Sequence, residues 1–361
     1  MSDIQKKIDS VVQSIEKIKG GESNIYFFVQ DTKGNPKGSI GLIYEFVRLL
    51  REDNYNAFII HDEDYKAANW LGEKYITLPH LNVKKDFSVG SHDIIVVPEI
   101  LSYVMSQVQN IPCIKVVLCQ AYDYIFETLE PGASWSDFGF DRCITISDTI
   151  TGFIRSFFPD IKIDVVNPFI SDDFKPTDKP SKPLIGIHSR EQRDSIKIVK
   201  SFYTKYPQYR WFGFRDLRGM PRKDFASSLS ECCLSVWIDN IATFGTYPLE
   251  SMKMGIPVIG KIPTKVPEWL TNDNGIWVYD ETEIIDQIAK FIEHWLEDSV
   301  PQDFMGKLSE TLQPYSEEKT KTQLINTIEM YFEKRIEALE EALTKLKEKL
   351  NENEVHSNST N

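Results

Sequence analysis

The sequence predicts an α/β protein: two parallel-sheet domains in tandem, preceded by a short helix and followed by a long helical tail. Three observations carry this. Short β-branched apolar runs recur along the chain with helical stretches between them. A proline- and charge-rich stretch, "VVNPFISDDFKPTDKPSKP", interrupts that series once. A regular leucine spacing in a Glu/Lys background closes the chain. Continuous apolar strands alternating with helices are the pattern of a parallel sheet covered on both faces.

The elements follow in order. Residues 1–22, "MSDIQKKIDSVVQSIEKIKGGE", form a polar amphipathic helix without the apolar core of a secretory leader. The first domain, 23–168, opens with the strand "NIYFFVQ" and the loop "DTKGNPKGSIG". The helix "LIYEFVRLL" comes next, with Leu42, Phe46, Leu49 and Leu50 at helical spacing. "NAFII", "KYITL", "HDIIVVP", "CIKVVLC" and "RCITIS" read as further strands, bounded by polar residues and proline. Residues 169–183 read as a linker. The second domain, 184–315, carries the strands "LIGIH", "YRWFGF", "CCLSVWI", "IPVIG" and "GIWVY". In the tail, 316–350, Phe332, Ile336, Leu339, Leu343, Leu346 and Leu350 are spaced four, three, four, three, four. That is a coiled-coil seam: "TKTQLINTIEMYF" could cross back to the first domain, and residues 332–350 are expected to join chains into a homo-oligomer, the alternative being a helix packed on its own chain. Residues 351–361, "NENEVHSNSTN", read as a disordered end.

Composition excludes several classes. The 361 residues suffice for two cores, at 41% hydrophobic and 12% aromatic. A net charge of −13 repels phosphate backbones, so general nucleic-acid binding is not expected. No apolar run is long enough to span a membrane. Five cysteines, an odd number without C-x-x-C, read as core thiols of a cytoplasmic protein rather than a zinc site or disulfide framework.

The candidate chemistry begins at "FGTYPLESMKMGIPVIG", Phe244–Gly260. Gly245 gives a flexible approach, Pro248 suits a first helical turn, and Gly255 suits a helix stop. Glu250 therefore falls at a helix start near the carboxyl end of "LSVWI", where open α/β sheets bind ligands. An acid there also gains from the helix dipole alone, so position by itself leaves both readings open. "HDEDY" (His61–Tyr65) reads as a solvated loop, although its three acids would suit a metal.

The same stretch resembles the nucleotide-binding signature of GT-B glycosyltransferases, closest to the retaining sugar-nucleotide group (family 4/family 1-like). Flanking segments are similar too: "MPRKDFASSLSECCLSVWID" before it and "KVPEWLTNDNGIWVYDETEIIDQIAKFIE" after it. "RCITISDTITGFIRSFFPDIKIDVVNPFISDDFKP" is similar to the close of that family's first domain. The resemblance implies a GT-B fold and sugar transfer from a nucleotide-sugar co-substrate to an acceptor hydroxyl, with no cofactor and no metal. It implies that Glu250 holds the ribose, while backbone amides of Thr246 and Tyr247, reached through Gly245, receive phosphate. Arg190, Arg193 and Lys197 in "LIGIHSREQRDSIK" match the cations that neutralise the diphosphate. His188 precedes them and could touch phosphate or sugar. Gly38 and Gly41 stand where the family has a glycine-rich loop facing the donor. Gln120 occupies the place of a common histidine, with Tyr122 and Asp123 beside it toward the acceptor. The family's first glutamate is replaced by Ala242, and Asp239 is the nearest substitute. That departure keeps two alternatives open, a non-catalytic nucleotide-sugar- or glycan-binding protein and a transferase acting on a modified DNA base.

Overall fold

The computed structural model describes residues 3–61, 69–85, 87–176, 181–241, 244–300 and 307–358, with the side chains of 354–358 excepted. The "HDEDY" acids and Ala242 lie outside the described residues.

The first domain is a seven-stranded sheet built from β1 (Asn24–Phe28), β2 (Asn56–His61), β3 (His80–Asn82), β4 (Ile94–Pro98), β5 (Ile114–Cys119), β6 (Arg142–Thr145) and β7 (Lys162–Val165). Its order is β3-β2-β1-β4-β5-β6-β7, with every paired neighbour parallel. Side chains alternate between the faces, as the strand repeat requires. Ile25 and Phe27 enter one core cluster with Tyr44, Phe46 and Leu50. Tyr26 and Phe28 enter the other with Met105 and Trp135. The helices are α1 (Asp3–Lys19), α2 (Gly38–Glu52), α3 (Glu73–Ile76), α4 (Ser102–Val108), α5 (Ile125–Thr128) and α6 (Asp148–Phe157).

The second domain is a five-stranded parallel sheet of β8 (Lys182–Ser189), β9 (Gly213–Asp216), β10 (Cys232–Ile238), β11 (Val258–Lys261) and β12 (Ile276–Val278), in the order β12-β11-β10-β8-β9. Its helices are α7 (Gln192–Lys205), α8 (Arg222–Leu229), α9 (Thr246–Lys253), α10 (Glu281–Leu296) and α11 (Leu308–Leu312). The chain order along the sheet reverses between β8 and β10, which makes a crevice at their carboxyl ends.

Three expectations are corrected. "KYITL" is not a strand: Gly72, at φ +108, starts the short helix α3, which buries Tyr75 against the first core. The "linker" is docked in its first half, where Ile170 and Phe174 are buried and the Ile170 N–H donates to the Tyr315 carbonyl (3.0 Å). The polar end is not frayed through its whole length, because α12 (Glu317–Asn358) continues helically through 351–358.

The tail follows the expected crossing course. α12 first crosses back onto the first domain, burying Leu324, Ile328 and Tyr331 in that core. Thr320 donates to the Asn167 carbonyl (2.8 Å), Tyr331 to Asp164 (2.8 Å) and Arg335 to the Ser91 carbonyl (2.9 Å). Beyond that, α1 packs along α12, with Lys19 Nζ 2.9 Å from Glu340. The seam therefore has an apolar partner within its own chain, and Leu339 is buried.

Candidate active site

A cavity of about 500 Å³ lies between the two domains. The first domain lines it with the loop and helix start at Lys37–Gly41 and with the strand ends at Glu99 and Gln120. The second domain supplies His188, Arg190, Asp239, Arg222 and the start of α9.

Glu250 is the fifth residue of α9, one turn further in than the sequence suggests, and it lines the cavity. Burial pushes its carboxyl up to about 7, against the opposing pull of Arg222 and a hydrogen bond with Thr246. Gly245 precedes the helix at φ +75 and ψ +81. A Cβ there would also stand 2.6 Å from the Trp237 ring, so glycine is required on two counts. Tyr247 is buried, its ring stacked on His188 with centroids 4.9 Å apart. The backbone amides of Thr246 and Tyr247 stand at the free end of this helix, where anions are favoured. His188 lines the cavity, and its Nδ1 is buried without a hydrogen-bond partner among the described residues. Burial holds the ring down at about 4.

Of the three cations read from the sequence, the structure places Arg190 alone on the cavity. Arg190 lines the cavity, 2.8 Å from Asp123 Oδ2 across the cleft and 3.4 Å from Asp239 Oδ1. Arg193 has an 85% exposed side chain, with Asp194 as its carboxylate neighbour at 3.8 Å. Lys197 is 65% exposed and paired with Glu281 at 2.6 Å. Neither lines the cavity. They lie four residues apart on α7, hence on one helix face, and that face is the outer one. Asp239 has its carboxyl pushed up by burial, with Arg190 pulling the other way.

On the first-domain side, Gly38 opens α2 with free space where a Cβ would stand. Its N-cap residue, Lys37, makes no side-chain capping bond. This fifteen-residue helix presents its amino end to the cavity. Gly41 is crowded instead, by Leu71, Arg222 and Trp70. Gln120 is buried and its amide donates to the Ser39 carbonyl (3.1 Å), fixing that helix start. Tyr122 does not line the cavity; it packs on Phe153. Asp123 is also off the cavity lining and meets it through Arg190.

Two residues were not singled out from sequence. Glu99, at the end of β4, is 3% exposed and lines the cavity. It accepts the Ala121 N–H (2.9 Å), and burial pushes it up to about 8. Arg222 opens α8 and pairs with Glu45 of α2 at 2.6 Å. The turn "LRGMP" ahead of it, with Gly219 at φ +68, was the available signal for a loop at the cleft.

No family model matches the chain. A stretch of 222 residues is 22% identical to an alpha-1,6-glucosyltransferase of Actinobacillus pleuropneumoniae serotype 7 (strain AP76), covering 60% of this chain. The match spans 66% of that relative's length, just under two thirds. Among solved structures, a sucrose-phosphate synthase from Thermosynechococcus elongatus superposes with a TM-score of 0.64 at 12% identity, over 86% of this chain and 99% of its own. Anabaena HepE in complex with UDP-glucose gives 0.61 at 15% identity, over 85% and 99%. A mutant of S. aureus TarM, in complex with fondaparinux, alpha-GlcNAc-glycerol and UDP, gives 0.62 at 10% identity, over 86% and 99%. These structure neighbours are GT-B glycosyltransferases, and the fold of this chain is GT-B.

Proposed function

We propose that this chain is a glycosyltransferase that moves a sugar from a nucleotide-sugar donor to an acceptor hydroxyl within the interdomain cavity. One observation carries the reading: Glu250 and Arg190 line the same cavity at the switch point of the second sheet, facing the open helix start of the first domain. A carboxylate accepts from two vicinal ribose hydroxyls, and Glu250 is the group for that task. The amides of Thr246 and Tyr247 receive phosphate, and Arg190 meets the diphosphate charge. In the reaction the bond from the anomeric carbon to the phosphate oxygen breaks, and the acceptor oxygen bonds to that carbon. The acceptor proton passes to the departing phosphate in a retaining course. Negative charge grows on the leaving group as this happens, so a fixed guanidinium favours the transition state over the bound donor. The contacts of Arg190 to Asp123 and Asp239 use Nη1 and Nε, which leaves donors of the guanidinium fork for phosphate.

UDP-linked sugars are the first donors to examine, since HepE and TarM were captured with UDP-glucose and UDP. The test is release of free nucleotide from a panel of nucleotide sugars, with and without glycan acceptors. Sugar transfer from any of them supports the proposal. Binding without turnover across the panel would leave a binding protein in its place.

A second copy of the chain is a further proposed partner. Ile336, Leu343, Leu346 and Leu350 are only half-buried on a helix that packs along α1, which leaves apolar surface for another chain. Light scattering before and after removal of the residues beyond Tyr331 tests this; a wild-type monomer at micromolar concentration refutes it. Cytoplasmic residence fits the five free, buried thiols.

A further inference from the structure

Arg222 belongs to the second domain, yet its side chain is spent on the first. Its Nη1 lies 2.6 Å from Glu45 Oε1 and 2.9 Å from the Tyr75 hydroxyl, and the guanidinium stands 5.6 Å from the Tyr75 ring centre. Its Nη2 is 3.5 Å from the point a Cβ on Gly41 would occupy, an ordinary contact distance. Glu45 itself is nearly fully buried and is also bound by Arg48 Nε at 2.8 Å and by the Tyr75 hydroxyl. Arg48 extends the chain of charges to Glu52 (2.8 Å) and to Glu317 (2.9 Å), at the start of the crossing helix.

A buried ion pair is a poor source of stability, because desolvation offsets most of the attraction. Apolar residues would hold the two domains as well. What an apolar pair could not do is bring a positive charge to the nucleoside end of the cavity. Arg222 and Glu250 line the same cavity, and the Arg222 charge acts on the Glu250 carboxylate.

We infer that Arg222 is a positioning residue of the donor site: Glu45 of the first domain holds it in the cavity that Glu250 of the second also lines, so the charge at the nucleoside end of the site depends on the contact between the domains. This rests on the reading of Glu250 as the nucleoside carboxylate. It makes affinity for the nucleotide depend on a buried residue of the opposite domain, Glu45, through the cation it holds.

The experiment is calorimetry with UDP between about pH 6 and 9, on the wild type and on Arg222→Met, Arg222→Lys, Glu45→Gln and Glu250→Ala, with small-angle scattering of each free protein. Arg48 and Tyr75 keep Glu45 partnered in Arg222→Met, so that variant is expected to fold; circular dichroism checks it. The groups facing Glu250 are Arg222, the Thr246 hydroxyl and the Tyr247 phenol. Losing the cation among them should weaken UDP binding about tenfold at neutral pH. It should also displace the affinity-versus-pH curve toward higher pH, because the carboxylate becomes harder to form. Arg222→Lys should restore the position of that curve. Glu45→Gln should leave the curve in place, weaken binding by about threefold and enlarge the free protein in solution. Arg222→Met binding UDP within twofold of the wild type, on the same pH curve, while Glu250→Ala loses it, overturns this inference alone. A wild type that binds no nucleoside diphosphate overturns it together with the donor-site reading.

Discussion

Replacing Glu250 by glutamine should make the free protein more stable and the nucleotide complex weaker. The structure holds this carboxyl in a lined cavity, where burial raises it from 4.5 to about 7. In the unfolded chain it ionises near its ordinary value. A group raised on folding contributes stability that is fully present below the unfolded value and is lost as pH rises through the folded one. The wild type therefore gives up stability between about pH 4.5 and 7, and at pH 8 it carries the full cost of a buried anion. At about 1.4 kcal/mol for each tenfold change in acidity, that cost is at most about 3.5 kcal/mol. Glutamine has nearly the same shape and no charge, so it removes the cost at pH 8 and changes little at pH 4. Calorimetric scans of both proteins should separate by up to about 5 °C at pH 8 and converge in acid. Titration with UDP should show the reverse order, with Glu250→Gln weaker by about 1–3 kcal/mol at pH 8, the range for a lost charged hydrogen bond. Glu250→Ala should lose at least as much affinity. A glutamine variant no more stable than the wild type at pH 8 would refute the buried-anion argument. Unchanged UDP affinity in a folded variant would remove Glu250 from the nucleotide site.

Further outcomes are expected. Arg190→Ala should lower turnover by about 10²–10³ with a smaller change in donor affinity, because its charge is needed most in the transition state; wild-type turnover would assign the leaving group to another residue. Arg193→Ala, on the exposed face of α7, should leave single-turnover rates unchanged, and a large loss would show that α7 moves inward during the reaction. Gly245→Ala should cost more than about 1 kcal/mol of stability, since it imposes a left-handed alanine whose methyl meets Trp237; chemical denaturation with an unshifted midpoint would contradict that geometry.

Much of the fold was legible because parallel strands buried on both faces read as unbroken apolar runs, as "HDIIVVP" and "CCLSVWI" do. The same rule misread "KYITL". An apolar run that short fits a strand or a buried helical turn equally, and Gly72 together with the Tyr75 site in the core chose the helix. The seam of α12 was legible as an amphipathic stripe, but its partner was not: α1 lies at the other end of the chain, and Lys19 meets Glu340 only through the fold. Glu250 was found because helix punctuation by Gly245 and Gly255 fixes its neighbourhood locally.

The cations show where local pattern stops being informative. "SREQRDSIK" places three positive charges within eight residues, and composition treats them alike. Whether each faces the cavity depends on a helix that begins between the first and second. Arg190 precedes α7 and follows the strand direction into the crevice, whereas Arg193 and Lys197 take the rotation of the helix and end on its outer face. Arg222 is the converse case. Nothing near it in sequence marks it, since the carboxylate that orients it is Glu45, far away in the other domain. An open parallel sheet draws its ligand site from several loops, each of which the sequence describes separately. The contacts that make those loops one site are long-range ion pairs, Arg190 with Asp123 and Arg222 with Glu45, and both cross the cleft. Charge in this site is thus set by how the domains meet, so substitutions at Asp123 and Glu45 should alter donor binding through Arg190 and Arg222.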